Sequence, residues 1–269
     1  MAFDKNNLII SHNLNRFGSD ELINYVAHVI CTAGQYEFCF DGRQFQMTVG
    51  DSMIIGVQRL LEHKKPSEDF KAICIYVKPE FLEVCTPRNN YGIKGSLSLY
   101  SNPIMHLNEE QFDRLKKDFA YIEYRLIHDE HHFQNDVMYC ATQLMFLDFY
   151  DVHAEAYGED YVSYQSALLM VGFMQLLERG DYVKNREVGY YADILCVTPK
   201  YLSEICKSVS GKAANYWINR FATIHIRRLL QQKKMTFTEI SDMFEFSSSA
   251  YFSRFVQKNL GDSPSSFRE

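Results

Sequence analysis

A chain of 269 residues, 46% apolar and 23% charged, has room for two domains and is too apolar to be disordered. Its net charge of −6 hides an asymmetry: residues 186–269 hold 12 Lys and Arg against 8 Asp and Glu, a net +4, and residues 1–185 hold 16 against 26, a net −10. Apolar runs break before the roughly eighteen residues a membrane helix needs, and MAFDKNNLII lacks the basic start and long apolar core of a signal peptide. The expected setting is therefore the cytoplasm, away from any membrane.

Residues 1–20 read as a polar arm with one short strand at 7–10. From residue 21 to 78 short β-like runs alternate with turns. LINYVAHVICT comes first; QYEFCF meets RQFQMTV at Asp41-Gly42, a dipeptide suited to a two-residue hairpin turn; SMIIGVQ follows Gly50-Asp51; and FKAICIYVK stops at Pro79. Five to seven such strands predict a small barrel or sandwich. A closed barrel would enclose a cavity, with Tyr25, His28, Tyr36, Phe38, Arg43, His63, Ile75 and Tyr76 as candidate lining residues. Residues 81–103 are mixed, with turn signals at Pro87, Asn89-Asn90 and Gly92.

Asn108 is placed to cap a helix whose first turn holds Glu109 and Glu110 and whose apolar face runs Phe112, Leu115, Phe119, Ile122 and Leu126. A second helical run over 133–157 is apolar on more than one face, through Met138, Met145, Phe146 and Phe149. The pair predicts a helical hairpin that also serves self-association, with Val137, Leu144, Met145 and Leu147 as dimerisation candidates; the alternative is that this face packs on the strands. A further helix over 161–180 ends at Gly180-Asp181, and a linker is expected at 156–160, beside Gly158. The seven cysteines are odd in number, scattered and free of C-x-x-C spacing, which predicts buried thiols in a reducing compartment.

The remainder contains a repeat. TPKYLSEICKSVSG (198–211) aligns with SSAYFSRFVQKNLG (248–261) at an offset of fifty residues: Tyr201 falls on Tyr251, Leu202 on Phe252, Ser203 on Ser253, Ile205 on Phe255, Cys206 on Val256 and Gly211 on Gly261. A hydroxyl residue opens each copy, and in the first Thr198 reads as an N-cap with Pro199 at the first helical position. Each copy reads as the second helix of a helix-turn-helix, with 187–193 and 236–240 as the first helices. One helix over about 213–233, spanning about 30 Å, joins them. That span approaches one turn of B-DNA, so the two helices can enter successive major grooves of a double-stranded DNA. On the outward faces Lys200, Ser203, Glu204 and Lys207, then Ala250, Tyr251, Arg254 and Lys258, are the candidate DNA contacts. Arg254 is the leading base reader, because guanidinium pairs bidentately with guanine. Thr198, Arg227, Arg228 and Ser248 are candidates for the DNA backbone.

The motifs YYADILCVTPKYLSEICK, NYWINRFATIHIRRLL and EISDMFEFSSSAYFSRFVQKNLGDSPSSFR resemble the C-terminal domain of the AraC/XylS family of bacterial transcription regulators. The resemblance covers residues 161–269. It implies recognition contacts at Lys200, Ser203 and Glu204, and at Ala250, Tyr251 and Arg254. The family often has Gly where Glu245 stands. Residues 20–100 are similar, by pattern, to the cupin-type barrel with which many members sense a small molecule. The fold class expected is α+β: a cupin-like barrel with a helical hairpin, plus an all-α double helix-turn-helix domain. The expected boundaries are 1–105 for sensing, 106–157 for dimerisation and 161–269 for DNA binding. The expected function is sequence-specific transcription regulation, as an activator, by a homodimer. Its partners would be promoter DNA, a small-molecule effector not named by the sequence, and RNA polymerase. The alternative is a ligand-independent regulator whose barrel only dimerises. No catalytic motif appears, no cofactor is implied, and His28 and His63 are too far apart in the chain to suggest a metal site.

Overall fold

The computed structural model describes residues 3–56, 58–87, 95, 97, 99, 102–157 and 163–268. It divides into two units, Met1–Tyr161 and Val162–Glu269. The turn signals at Asn89-Asn90 and Gly92, and positions 158–160 of the expected linker, lie outside the described residues.

The first unit has strands β1 (Leu8–Ser11), β2 (Val26–Ala33), β3 (Gln35–Phe40), β4 (Arg43–Thr48), β5 (Asp51–Ile55), β6 (Leu61–Pro66), β7 (Lys71–Val77) and β8 (Ile104–His106). They form a five-stranded sheet in the order β1-β7-β2-β5-β8 and a three-stranded sheet in the order β4-β3-β6. Every pairing is antiparallel.

The cupin-like closed barrel expected from the strand pattern does not form among the described residues. Both sheets are open, with β1 and β8 at the edges of one and β4 and β6 at the edges of the other, and no ladder joins those edges among the described residues. Closure needs edge-to-edge hydrogen bonding with a consistent stagger. Instead the chain changes sheet between β2 and β3. A bulge interrupts β2 between Cys31 and Ala33, and Gly34 follows at φ 68°. A Cβ on Gly34 would lie 2.7 Å from the Phe70 Cα, so both the turn and the close approach require glycine. The Asp41-Gly42 hairpin forms as expected, with φ 51° and 75°, the left-handed pair of a primed turn.

Two strands escape the sequence pattern. β6 carries Glu62, His63, Lys64 and Lys65 along an exposed edge, where charge replaces apolar alternation and discourages further pairing. β8 is only three residues long.

One face of the larger sheet is covered by helices: α1 (Pro79–Cys85), α2 (Glu109–Ile127) and α3 (Gln134–Tyr157). Asn108 and Gln111 form a reciprocal capping box at the start of α2. Leu8, Ile30, Ile54, Ile75 and Val77 of the sheet pack with Leu115, Phe119 and Ile122 of α2 and with Met138, Met145, Phe146 and Phe149 of α3. Each of these side chains contributes roughly 1.5–3 kcal/mol by leaving water. Most of the second apolar face expected of α3 is thus spent on the sheet. Val137 is half-buried, Met145 is buried, and Leu144 and Leu147 stay exposed.

The second unit is helical: α4 (Tyr164–Arg179), α5 (Val188–Ile194), α6 (Pro199–Ser210), α7 (Ala214–Gln232), α8 (Phe237–Met243) and α9 (Ser249–Leu260). Ser163 caps α4 through its hydroxyl, and Gly180 closes it in the left-handed conformation at φ 96°.

Candidate nucleic-acid interface

Helices α5 and α6, and again α8 and α9, form two helix-turn-helix units. Both turns close in the same way. Cys196 and Glu245 adopt left-handed φ values of 55° and 50°. The next N–H then bonds back into the preceding helix, Val197 to the Ala192 carbonyl at 2.9 Å and Phe246 to the Ser241 carbonyl at 3.0 Å. Neither left-handed residue is glycine, so each turn holds a strained non-glycine backbone. Thr198 Oγ1 accepts the Tyr201 N–H, and Ser248 Oγ accepts the Tyr251 N–H, each at 3.2 Å. These two hydroxyls, which open the two copies and are also candidates for the DNA backbone, cap α6 and α9.

The buried faces set which residues look outward. Leu202, Ile205, Cys206 and Val209 of α6 are buried, and in α9 Phe252 and Val256 are buried with Phe255 half-covered. That leaves Lys200, Glu204 and Lys207 exposed with Ser203 half-buried, and Ala250, Tyr251, Arg254 and Lys258 exposed. The two faces differ in charge. Lys200 Nζ lies 3.9 Å from Glu204 Oε1 one turn along, so the first helix partly neutralises itself. Among the described residues, Arg254 and Lys258 have no ion-pair partner. The joining helix α7 has 19 residues, about 28 Å. Arg227 and Arg228 sit half-buried on it.

Several contacts that hold the units were not read from the sequence, although Phe267-Arg268 was expected to close the domain. Arg186, just before α5, donates to the Phe244 carbonyl in the second turn, and its guanidinium lies 4.1 Å over the Phe246 ring. Burial pushes its pKa down, against the pull of nearby Glu245 and Glu187. It therefore ties the start of the first unit to the turn of the second. Arg268 repeats the device, donating to the Met235 carbonyl and lying 4.0 Å over Phe237. The buried Trp217 of α7 donates its Nε1–H to Ser210 Oγ at 2.8 Å, fastening the end of α6. Tyr182 bonds His225 at 3.1 Å, and both rings pack on Phe244. An aromatic or guanidinium group at a helix boundary gives no periodic signal, so only the contacts reveal these roles.

The residues expected to line a barrel fall into different environments. His28 is buried against α3, stacked 5.3 Å from Phe146 and tilted 5.5 Å from Phe149; desolvation lowers its pKa to about 4, so the ring is neutral at neutral pH. Ile75 packs with the same helices. Tyr76 follows Ile75 and so points to the opposite face of the sheet, also buried. Tyr36 and Phe38 are buried on the smaller sheet, 5.6 Å apart. Tyr25 is half-buried and donates to the Asn6 carbonyl at 2.9 Å, while Arg43 and His63 are exposed. Alternation along a strand cannot say which face meets helices and which meets the other sheet. Among the described residues no three His, Cys, Asp or Glu converge as a metal set, and no helix is long and apolar enough to cross a membrane.

Comparison with known proteins agrees with the geometry of the second unit. Residues 191–269 match the family model described as a helix-turn-helix domain. A 69-residue stretch, 26% of this chain, is 30% identical to a probable transcription factor, PqrA, of Proteus vulgaris. The match spans 57% of that curated relative, little more than half its length. Among solved structures, ToxT of Vibrio cholerae is 13% identical over 99% of this chain and 94% of its own, with a TM-score of 0.42. The AraC-like transcriptional activator CuxR is 14% identical over 86% of this chain and 79% of its own, with a TM-score of 0.36. Likenesses that distant carry no functional argument. The second unit of this chain is therefore a helix-turn-helix domain that holds two copies of the motif.

Proposed function

We propose that this protein is a sequence-specific transcription regulator that reads double-stranded promoter DNA with α6 and α9. One observation carries the reading: two helix-turn-helix units whose turns close in the same way and whose second helices carry the same kind of cap stand at the two ends of a helix of about 28 Å. In this reading Lys200, Ser203, Glu204 and Lys207 face one major groove, and Ala250, Tyr251, Arg254 and Lys258 the next, while Arg227 and Arg228 lie toward the backbone between them. Arg254 pairs with a guanine. The protein acts in the cytoplasm, where promoter DNA and RNA polymerase are. Selection from randomised duplexes by the full-length protein tests this. Two preferred blocks about 10–10.5 base pairs apart are expected; no enrichment over input rejects it.

The exposed Leu144 and Leu147 of α3 favour a homodimer through the first unit. Sedimentation of the Leu144→Glu, Leu147→Glu double variant is expected to give a monomer; an unchanged mass removes this interface. A small-molecule effector has its own support in that unit. The buried Tyr36 hydroxyl has no hydrogen-bond partner among the described residues, and the Tyr76 hydroxyl has only the Cys74 thiol, a weak one. A thermal-shift screen of metabolites against the full chain tests it. A compound that stabilises the wild type but not Tyr36→Phe is the expected outcome; a screen in which every shift survives that change rejects this site.

A further inference from the structure

Alongside the second reading helix runs a groove of about 440 Å³, whose walls bring together Lys184, Arg186, Arg254 and Lys258 with Glu187 as their one carboxylate. We propose that this groove seats a phosphate of the DNA backbone next to the second half-site, with Lys184 as its leading contact. The inference rests on the DNA-reading function above and adds to it a contact that lies before the helix-turn-helix match begins.

The charge balance comes first. Four cations on the walls against Glu187, with Glu245 also close to Arg186, leave the groove net positive. Lys184, Arg254 and Lys258 are exposed, and among the described residues none of them has an ion-pair partner. Arg186 is different: its bond to the Phe244 carbonyl and its seat over Phe246 hold its charge in place. A fixed positive charge needs no reordering when an anion arrives, which favours binding. The second consideration is donor chemistry. Asn215 and Asn219 of α7 also line the groove and add side-chain amides to it. A phosphodiester is an anion that only accepts hydrogen bonds, so ammonium, guanidinium and amide N–H groups all match it. The third is position. The groove follows Tyr251, Arg254, Phe255 and Lys258, a stripe along the flank of α9. A strand bordering the major groove that α9 occupies passes along that flank, where contacts fix register without reading sequence.

The test uses the full-length protein, a duplex selected from a random library and a scrambled duplex, with affinity measured between about 50 and 200 mM salt. Lys184→Ala is expected to weaken both duplexes by the same factor, and to make the log–log salt dependence shallower by about one. Lys184→Arg should restore both. The Lys184 side chain is exposed, so the melting temperature should not move. A neutral methylphosphonate stepped along the duplex should, at one position, cost the wild type what Lys184→Ala costs, and cost the variant nothing more. If Lys184→Ala changes neither affinity nor salt slope while Arg254→Ala weakens binding, the phosphate seat is wrong and the reading function stands. If neither variant changes binding, the DNA-reading assignment fails as well. Stabilisation of the wild type by inorganic phosphate that Lys184→Ala abolishes, with DNA affinity and slope unaltered, would assign the groove to a soluble phosphate and overturn the backbone seat.

Discussion

The two helix-turn-helix units share a backbone and differ in what they bury and what they show. The first seats α6 through Leu202, Ile205, Cys206 and Val209, with Trp217 bonded to Ser210 at its end. The second is held by an aromatic plug. Its turn runs 244–248, one residue longer than 195–198, and places Phe246 within 5.1–5.7 Å of Tyr251, Phe252 and Phe255. Arg186 then closes over the same Phe246 ring. On the outside, Lys200 is tied to Glu204, whereas Arg254 and Lys258 are unpaired among the described residues. A repeated fold therefore need not mean repeated recognition. The buried positions keep the helix in place, and the exposed ones are free to carry different charge.

The largest expected effect tests the plug. Phe252→Ala should cost about 3–5 kcal/mol, and Leu202→Ala in the first unit about 2–5 kcal/mol. Hydrogen exchange reads the outcome locally: Phe252→Ala should expose the amides of α8 and α9 before those of α5 and α6. Equal loss of protection in both units would show that they unfold as one body.

Next comes the difference in charge. Arg254→Ala should remove about 1–3 kcal/mol of discrimination at a single base pair. Lys200→Ala, losing a cation already shared with Glu204, should cost less than about 1 kcal/mol. A loss from Arg254→Ala that is uniform across all duplexes would remove its base-reading role. Glu204→Gln should move the first unit toward the second by freeing Lys200. Binding to scrambled DNA should tighten, with a salt dependence steeper by about one if Lys200 then meets a phosphate. An unchanged slope would mean that Lys200 does not face the backbone.

The smallest effect is in the shared turn. Relief of a left-handed non-glycine residue gains about 1–2 kcal/mol, less the roughly 0.5–1 kcal/mol of entropy that glycine loses on folding. Cys196→Gly and Glu245→Gly should therefore each raise stability by up to about 1.5 kcal/mol, read as a higher melting temperature. If only one does so, the turns are not equivalent in energy despite their matching hydrogen bonds.

Much of the second unit is legible in its amino-acid sequence. Thr198-Pro199, Ser248 and Gly211 are local signals: a cap, a fixed φ and a left-handed stop act within one or two turns of the residues that carry them. The first unit is legible in its parts only. The Asp41-Gly42 hairpin and the Asn108 cap are local and form as expected. The closed barrel does not form, because strand count says nothing about which edges pair, and one bulge with Gly34 at the corner sends β3 into a separate sheet. Strand pattern groups His28 and Tyr76 as lining one cavity, yet His28 packs on α3 and Tyr76 faces the other way.

By itself, then, the sequence determined the fifty-residue repeat and the helices of the second unit, whose caps and apolar faces depend on residues three or four apart; α1 (Pro79–Cys85) escaped it. Tertiary structure alone decided the openness of the two sheets, the covering of one sheet by α2 and α3, and the gathering of Lys184, Arg186, Arg254 and Lys258 into one groove. Lys184 and Lys258 stand far apart in the chain. Only the packing of α9 against α7, with Arg186 bonded across to the second turn, brings them onto a shared wall. Contacts of that range are set by how whole elements fit together, and no window of sequence contains them.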